Sequence, residues 1–142
     1  QWMGVTPLGG RRVGLLIGCD IEPPEAARGL VLSGADLLAV LGGRAAPSCR
    51  VLDILLPARA LENEVALAYA GRGTSEPGRV GGRILGPGGE DLPGRHDPQA
   101  DLRVAFLPPP AAQPSSRLRC RRPRLYQRLA HIDVAARPGA TS

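Results

Sequence analysis

Three short apolar runs, each closed by glycine, constrain the fold of this chain more than any other feature. Residues 12–17 (Arg-Val-Gly-Leu-Leu-Ile) follow Gly9-Gly10 and end at Gly18-Cys19-Asp20. Residues 35–41 (ADLLAVL) end at Gly42-Gly43, and residues 65–70 (VALAYA) end at Gly71. Runs this short and continuous, bounded by turn residues, read as strands buried on both faces. Between the first two, Pro23-Pro24-Glu25 opens a helix through about Ser33, with proline in the first turn, Gly34 as the stop, and Ala26, Leu30, Ala27 and Val31 turned inward. Strand, helix and strand in close succession make a βαβ unit, and therefore a parallel sheet. The fold class is α/β.

The rest of the chain is more broken. Residues 44–50 read as a loop, and residues 51–63 as a helix with Leu52, Leu55 and Leu56 at helical spacing and Pro57 placed to kink it. Gly71 to Gly82 is a glycine-rich loop, Arg83-Ile84-Leu85 a brief strand, and Gly86-Pro87-Gly88-Gly89 a turn. Residues 91–99 read as polar loop, and Leu102 to Leu107 as one more strand. Pro108 to Ser116 has linker composition, Arg117 to Arg128 is an arginine cluster with a short helix expected near Leu125–Leu129, and the last ten residues are expected to be disordered. The organisation is a main domain over residues 1–107, a C-terminal extension over 108–131 and a tail over 132–142.

Composition narrows the function classes. Aromatic residues make up 3% of the 142 positions against 43% for hydrophobic residues as a whole, so the core rests on Leu, Val, Ile and Ala. No apolar run reaches the ~18–20 residues of a membrane-spanning helix, and the first residues lack the basic and apolar regions of a signal peptide. Cys19, Cys49 and Cys120 are odd in number and widely spaced, which fits neither a disulfide framework nor a metal knuckle and points to a reducing, cytoplasmic setting. His96 and His131 have no ligand partners at metal spacing, so no metal site and no cofactor are expected. The net charge of +5 comes entirely from arginine, since the chain has no lysine. An arginine-rich nucleic-acid binder is one reading of that charge. The codon bias of a GC-rich gene, which favours Ala, Gly, Pro and Arg together, is the preferred one.

The chemistry-bearing stretch is Val13 to Glu25, VGLLIGCDIEPPE. A strand that ends in a tight turn carrying a cysteine, with a helix starting just after, has the layout of a nucleophile elbow. Such a turn exposes a side chain at the strand's C-terminal edge and aims backbone N–H groups at a developing oxyanion. This stretch resembles the nucleophile segment of the nitrilase, or carbon–nitrogen hydrolase, superfamily, whose pattern runs G-L-L-I-C-Y-D-x-E-F-P-E and then G-A-D-L-L-x-V-P-T-A. The likeness continues through Ala58-Arg59-Ala60-Leu61-Glu62-Asn63 and Val65 to Ala70 (A-R-A-x-E-N followed by V-A-Y-A-N-R), through the turn from Ile84 to Gly89, and through Arg121-Arg122-Pro123-Arg124-Leu125-Tyr126, which is similar to the R-R-P-x-L-Y tail of bacterial amidases in the group.

The resemblance implies part of a four-layer α-β-β-α sandwich, namely the C-terminal half of the nitrilase-type fold. It also implies cofactor-free hydrolysis of a small amide, nitrile or carbamoyl substrate through a cysteine thiolate and an acyl-enzyme, assisted by a glutamate and a lysine. Matched through Asp20, Glu22 and Glu25, the family's nucleophile position is Gly18, and Cys19 stands where an aromatic residue is usual. The pocket and oxyanion turn map to Gly18, Asp20, Glu22, Leu41 and Gly42, with Leu41-Gly42-Gly43 in place of Pro-Thr-Ala. Asp20 and Glu22 are expected to cap backbone or to pair with Arg28 or Arg59. Arg59, Glu62 and Asn63 are expected to be structural. The family's glutamate and lysine precede the nucleophile segment and fall outside this sequence. The expectation is therefore a truncated, altered hydrolase that is inactive alone. It would assemble with itself or with a complete homologue, with the arginine cluster serving assembly rather than nucleic acid.

Overall fold

The computed structural model describes residues 4–43, 48–71, 82–97, 102–110 and 116–127. A five-stranded mixed sheet forms its centre, in the order β1 (Val5–Leu8), β2 (Arg11–Ile17), β3 (Leu37–Leu41), β4 (Ala66–Ala70) and β5 (Gly82–Leu85). The three glycine-closed runs are the three central strands, parallel to one another, with Leu15 opposite Ala39 and Ala39 opposite Ala68. The outer strands are antiparallel to their neighbours. Gly9 and Gly10, both at positive φ, form the two-residue turn joining β1 to β2, the conformation that a right-twisted hairpin favours. The strand β1 carries Pro7 and is short, and the sequence reading passed over it.

The helices lie on one face. Helix α1 (Pro24–Leu32) connects β2 to β3 with proline at its start, and α2 (Leu56–Asn63) follows a π-helical turn over Val51–Leu55 and leads into β4. Ser48 opens that π-helical turn by accepting the Val51 N–H on both its carbonyl and its hydroxyl oxygen. Pro57 stands in the first turn of α2, where the missing N–H costs no helical bond. Leu16, Leu38, Val40, Leu67 and Leu85 project from the sheet into the layer formed by Ala27, Leu30, Leu52, Leu56 and Ala60, and all are buried. The alternate residues Leu15, Ile17 and Leu41 look the other way and remain about half exposed. Among the described residues the architecture is α/β with a mixed sheet and one helical layer.

Three expectations are corrected. Residues 91–99 are not all loop: β6 (Gly94–Asp97) pairs antiparallel with β7 (Leu102–Ala105), making a separate two-stranded ribbon. Four residues of Gly-Arg-His-Asp carry no apolar pattern, because every one of them is exposed. The strand β7 also stops at Ala105, and Phe106 beyond it is almost wholly exposed. In the arginine-rich region α3 (Ser116–Arg119) and α4 (Pro123–Tyr126) are single turns. The expected helix near 125–129 thus begins earlier, and its last two positions, with the tail, lie outside the described residues.

Candidate active site

Parallel strands place their C-terminal ends on one edge, the edge where open α/β sheets bind ligands. Here that edge is lined with glycine. One step past the last paired residues (Ile17, Leu41 and Ala70) come Gly18, Gly42 and Gly71; Gly42 lies beside Gly71, and Gly18 turns off against Gly43. The Gly42 N–H extends the ladder by donating to the Ala70 carbonyl at 2.7 Å. Gly18 has φ +60, the left-handed conformation that an elbow needs, and a Cβ built there meets only the Gly43 Cα, at 3.7 Å. The end of β2 thus presents backbone with open space before it.

The turn after Gly18 is a 3-10 helix over Gly18–Ile21. Cys19 is exposed on it. Asp20 caps the turn, its Oδ2 accepting the Ile17 N–H at 3.2 Å, and the Glu22 N–H closes it on the Cys19 carbonyl at 2.9 Å. The carboxylates of Asp20 and Glu22 do not take up Arg59, contrary to one of the two pairings expected. It is the backbone of the turn that does so. Arg59, 7% exposed, reaches from α2 and donates Nε to the Ile21 carbonyl at 3.0 Å and Nη2 to the Glu22 carbonyl. Its Nη1 meets Glu62 Oε1 at 3.1 Å. Asn63, fully buried, donates Nδ2 to the Arg59 carbonyl at 2.8 Å, and Arg28 donates Nη2 to the Glu62 carbonyl at 2.7 Å. Burial lowers the Arg28 pKa, with Glu62 opposing and Arg121 reinforcing the shift. Arg59, Glu62 and Asn63 therefore form a clamp beneath the elbow rather than groups within it.

On the far side of the row, the Tyr69 ring of β4 lies buried against Gly42 and Gly71. A Cβ on Gly42 would stand 2.8 Å from the Tyr69 hydroxyl and 2.7 Å from the Gly71 Cα, so both positions require glycine. Burial raises the Tyr69 pKa above its ordinary value. Leu41, the last residue of β3, turns its side chain to the uncovered face. Sequence reading missed Tyr69 as a site residue, taking it as one more strand position; the glycine two residues after it was the available clue. His96 lies on β6, Cys49 precedes the π-helical turn and Cys120 follows α3, and none of the three is part of the elbow. Among the described residues no cluster of His, Cys, Asp and Glu could hold a metal ion.

A cavity of about 780 Å³ opens at the opposite edge, around Arg11, Asp36, Asn63 and Pro108–Pro110. It is not the site of the elbow chemistry. It sits at the N-terminal ends of the parallel strands, and its Arg11 guanidinium is tied to the Pro108 carbonyl and to Asp36.

Comparison with known proteins agrees with this geometry. A mutant of the Nesterenkonia AN1 amidase from the nitrilase superfamily superposes with a TM-score of 0.65 at 30% identity, covering 89% of this chain and 47% of that one. A second amidase structure from Nesterenkonia sp. gives a TM-score of 0.62 at 32% identity, with 89% and 46% covered. The chain has a nitrilase-superfamily amidase fold. An (R)-stereoselective amidase of a Pseudomonas species is 36% identical, over 71% of this chain and 38% of the relative. A protein described as "Hydrolase in pqqF 5′region", from Pseudomonas protegens, is 46% identical over 66 residues, which is 46% of this chain and 23% of that protein. No protein-family model matches. This nitrilase-like chain spans about half the length of the solved structures it matches and less than that of the curated relatives. Another structure of the Nesterenkonia enzyme carries the acetamide moiety of fluoroacetamide covalently added at its active-site cysteine. No helix among the described residues is long and apolar enough to cross a membrane.

Proposed function

We propose that this chain is the elbow-bearing half of a carbon–nitrogen hydrolase domain acting on small amide-like molecules, and that its own elbow is catalytically silent. The observation that carries this reading is Gly18. It stands at φ +60 at the end of β2, where an elbow holds its nucleophile, and contributes no side chain. Hydrolysis through an acyl-enzyme needs a nucleophile aligned on the amide carbon, and a misplacement of about 1 Å already costs on the order of 10²-fold. Cys19 does not fill the vacancy. Its turn is pinned by Asp20 on one side, by the Glu22 N–H on the Cys19 carbonyl, and by Arg59 on the carbonyls of Ile21 and Glu22. Moving its thiol to the Gly18 position would break those bonds.

In this reading residues 1–107 form the hydrolase half-domain, 108–131 an extension, and 132–142 a tail. The uncovered face bearing Leu15, Ile17 and Leu41 takes the second sheet of a four-layer sandwich, in the cytoplasm. The same face favours a second reading, a non-catalytic partner that completes itself against another copy or a full homologue. A nucleic-acid role for the arginine cluster is not favoured. Arg117 is engaged by Glu64 at 2.8 Å and by the Leu61 carbonyl at 3.2 Å, which makes it part of the assembly of this chain.

The test is an assay of the chain with acetamide and propionamide, following ammonia release, together with mass spectrometry after iodoacetamide. The expected result is no ammonia above background and alkylation of Cys19 no faster than of Cys120. Turnover of either amide with selective, rapid labelling of Cys19 would overturn the reading.

A further inference from the structure

We propose that the cavity at the N-terminal ends of the parallel strands binds a neutral, planar amino-heterocycle, whose N–H groups are taken by Asp36 Oδ1 and Asn63 Oδ1. This site is independent of the elbow and of the chemistry assigned there. The cavity measures about 780 Å³, inside the range of ~300–1,000 Å³ over which small-molecule sites fall. It also has polar groups to spare. Three side-chain atoms among the described residues are buried without a hydrogen-bond partner, and two of them, Asp36 Oδ1 and Asn63 Oδ1, belong to residues that line it.

Strand register brings the two acceptors to one edge. Asp36 immediately precedes β3 and Asn63 ends α2, just ahead of β4, and Leu37 of β3 pairs with Ala66 of β4. Asp36 is held by its other oxygen, which accepts the Arg12 N–H at 3.0 Å. Its Oδ1 stands 3.7 Å from Arg11 Nη1, an ion-pair distance too long for a hydrogen bond. Asn63 is 1% exposed, and the chemistry of its partner fixes its orientation. The Arg59 carbonyl can only accept, so the amide presents Nδ2 to it at 2.8 Å and keeps Oδ1 for another donor. An acceptor buried without a donor is a standing cost that a matching ligand removes.

The unused capacity of the cavity is thus on the acceptor side, and a ligand that fits it donates. The donors on its wall serve the chain itself. Arg11 donates to the Pro108 carbonyl, Arg12 Nη2 donates to the Ser33 carbonyl at 2.8 Å, and Arg119 is engaged as well. Charge decides between kinds of donor. Arg11, Arg12 and Arg119 line the cavity against the carboxylates of Asp36 and Glu64, so an ammonium would enter a surplus of positive charge. An anion would bring acceptors to acceptors. A neutral ring carrying an amino group supplies N–H donors without either conflict, and Val31, Leu32, Leu118 and the prolines at 108–110 give its faces apolar contact.

The test uses the whole chain and 2-aminopurine, an uncharged fluorescent amino-heterocycle, followed by fluorescence anisotropy. The expected result is saturable binding. Purine, which lacks the amino group, and benzylammonium, which is a cation, are expected to displace the probe only at about tenfold higher concentration or more, the scale of one hydrogen bond to a charged group. Absence of saturable binding, or displacement by either competitor at the probe's own concentration, overturns the proposal. Asp36→Asn leaves an oxygen for the Arg12 N–H but removes the charge and turns an amide nitrogen toward the ligand. It is expected to weaken 2-aminopurine about tenfold, and a folded Asp36→Asn chain with unchanged affinity overturns the proposal. The place of binding is read on the parent chain, whose fold is not in question, from carbon-13 methyl resonances of leucine and valine. Those of Val31, Leu32 and Leu118 are expected to move with the titration, while those of Leu41, at the opposite ends of the strands, stay in place. Shifts at Leu41 with the other three fixed would put the ligand at the elbow edge and overturn the assignment.

Discussion

The two faces of the central sheet are made by the same residues counted alternately, yet they differ in everything but composition. On one face Leu16, Leu38, Val40 and Leu67 are buried beneath two helices; on the other Leu15, Ile17 and Leu41 are about half exposed. A strand with one face built for water alternates apolar with polar residues. The strands β2 and β3 do not alternate. Leucine, isoleucine and alanine occupy both registers, as in strands that are covered on both sides. The two-stranded ribbon is different: β6 is Gly94-Arg95-His96-Asp97, and Arg103 alternates with Leu102 and Val104 on β7. The difference teaches that the uncovered face is built as an interior surface.

The largest effect is expected at the rim of the covered face, where a charged residue has been taken inside. Arg59→Leu removes the donors to the carbonyls of Ile21 and Glu22 and the partner of Glu62 at one stroke. Breaking a buried ionic group of this kind costs about 3–5 kcal/mol. We expect a loss of that order in chemical denaturation, with Arg59→Lys recovering only part of it, because an ammonium cannot reproduce the forked contacts of a guanidinium. A loss below about 1 kcal/mol would mean that the turn holds itself and that the clamp is incidental.

Next in size is a direct contrast between the faces. Leu67→Ala, fully buried at the centre of the sheet, is expected to cost about 2–5 kcal/mol. Ile17→Ala, one strand away from β4 and 56% exposed, should cost less than about 1 kcal/mol in the isolated chain while reducing self-association in analytical ultracentrifugation. If Ile17→Ala proves as costly as Leu67→Ala, the second face is already covered in solution, and the comparison sharpens into a dimer interface.

These contrasts also explain what could be read in advance. The strands β2, β3 and β4 were legible because a double-sided burial demand writes an unbroken apolar run, and glycine at each end marks where it stops. Helix α1 was legible from its proline start and its Gly34 stop. The strand β6 was not, since Gly94–Asp97 buries nothing and leaves no hydrophobic period to detect. The clamp was half legible: Arg59 and Glu62 are neighbours on a helix, but the carbonyls that Arg59 serves lie 38 and 37 residues away in sequence, and backbone acceptors carry no residue code. The glycine row was read as three separate strand ends. Only the parallel register brings Gly42 beside Gly71, and only then does the Tyr69 hydroxyl acquire a location.

The smallest effect concerns that hydroxyl and the pH scale. Burial raises the Tyr69 pKa above its ordinary value of 10.0, so the folded state holds its proton more tightly than the unfolded chain does. The sign follows from linkage. Where the unfolded chain begins to lose the tyrosine proton and the folded chain does not, the unfolded state binds fewer protons, and stability falls as pH rises. The contribution of Tyr69 is thus fully present below about pH 10 and declines from there upward through its folded-state pKa. Denaturation midpoints measured between pH 8 and 11.5 should fall less steeply in Tyr69→Phe than in the parent above about pH 10, and the two curves should run parallel below it. Parallel curves over the whole range would place the phenol in water. The bare glycine row would then be an edge like any other, and the contrast between the two faces would stop at the strands without reaching the site.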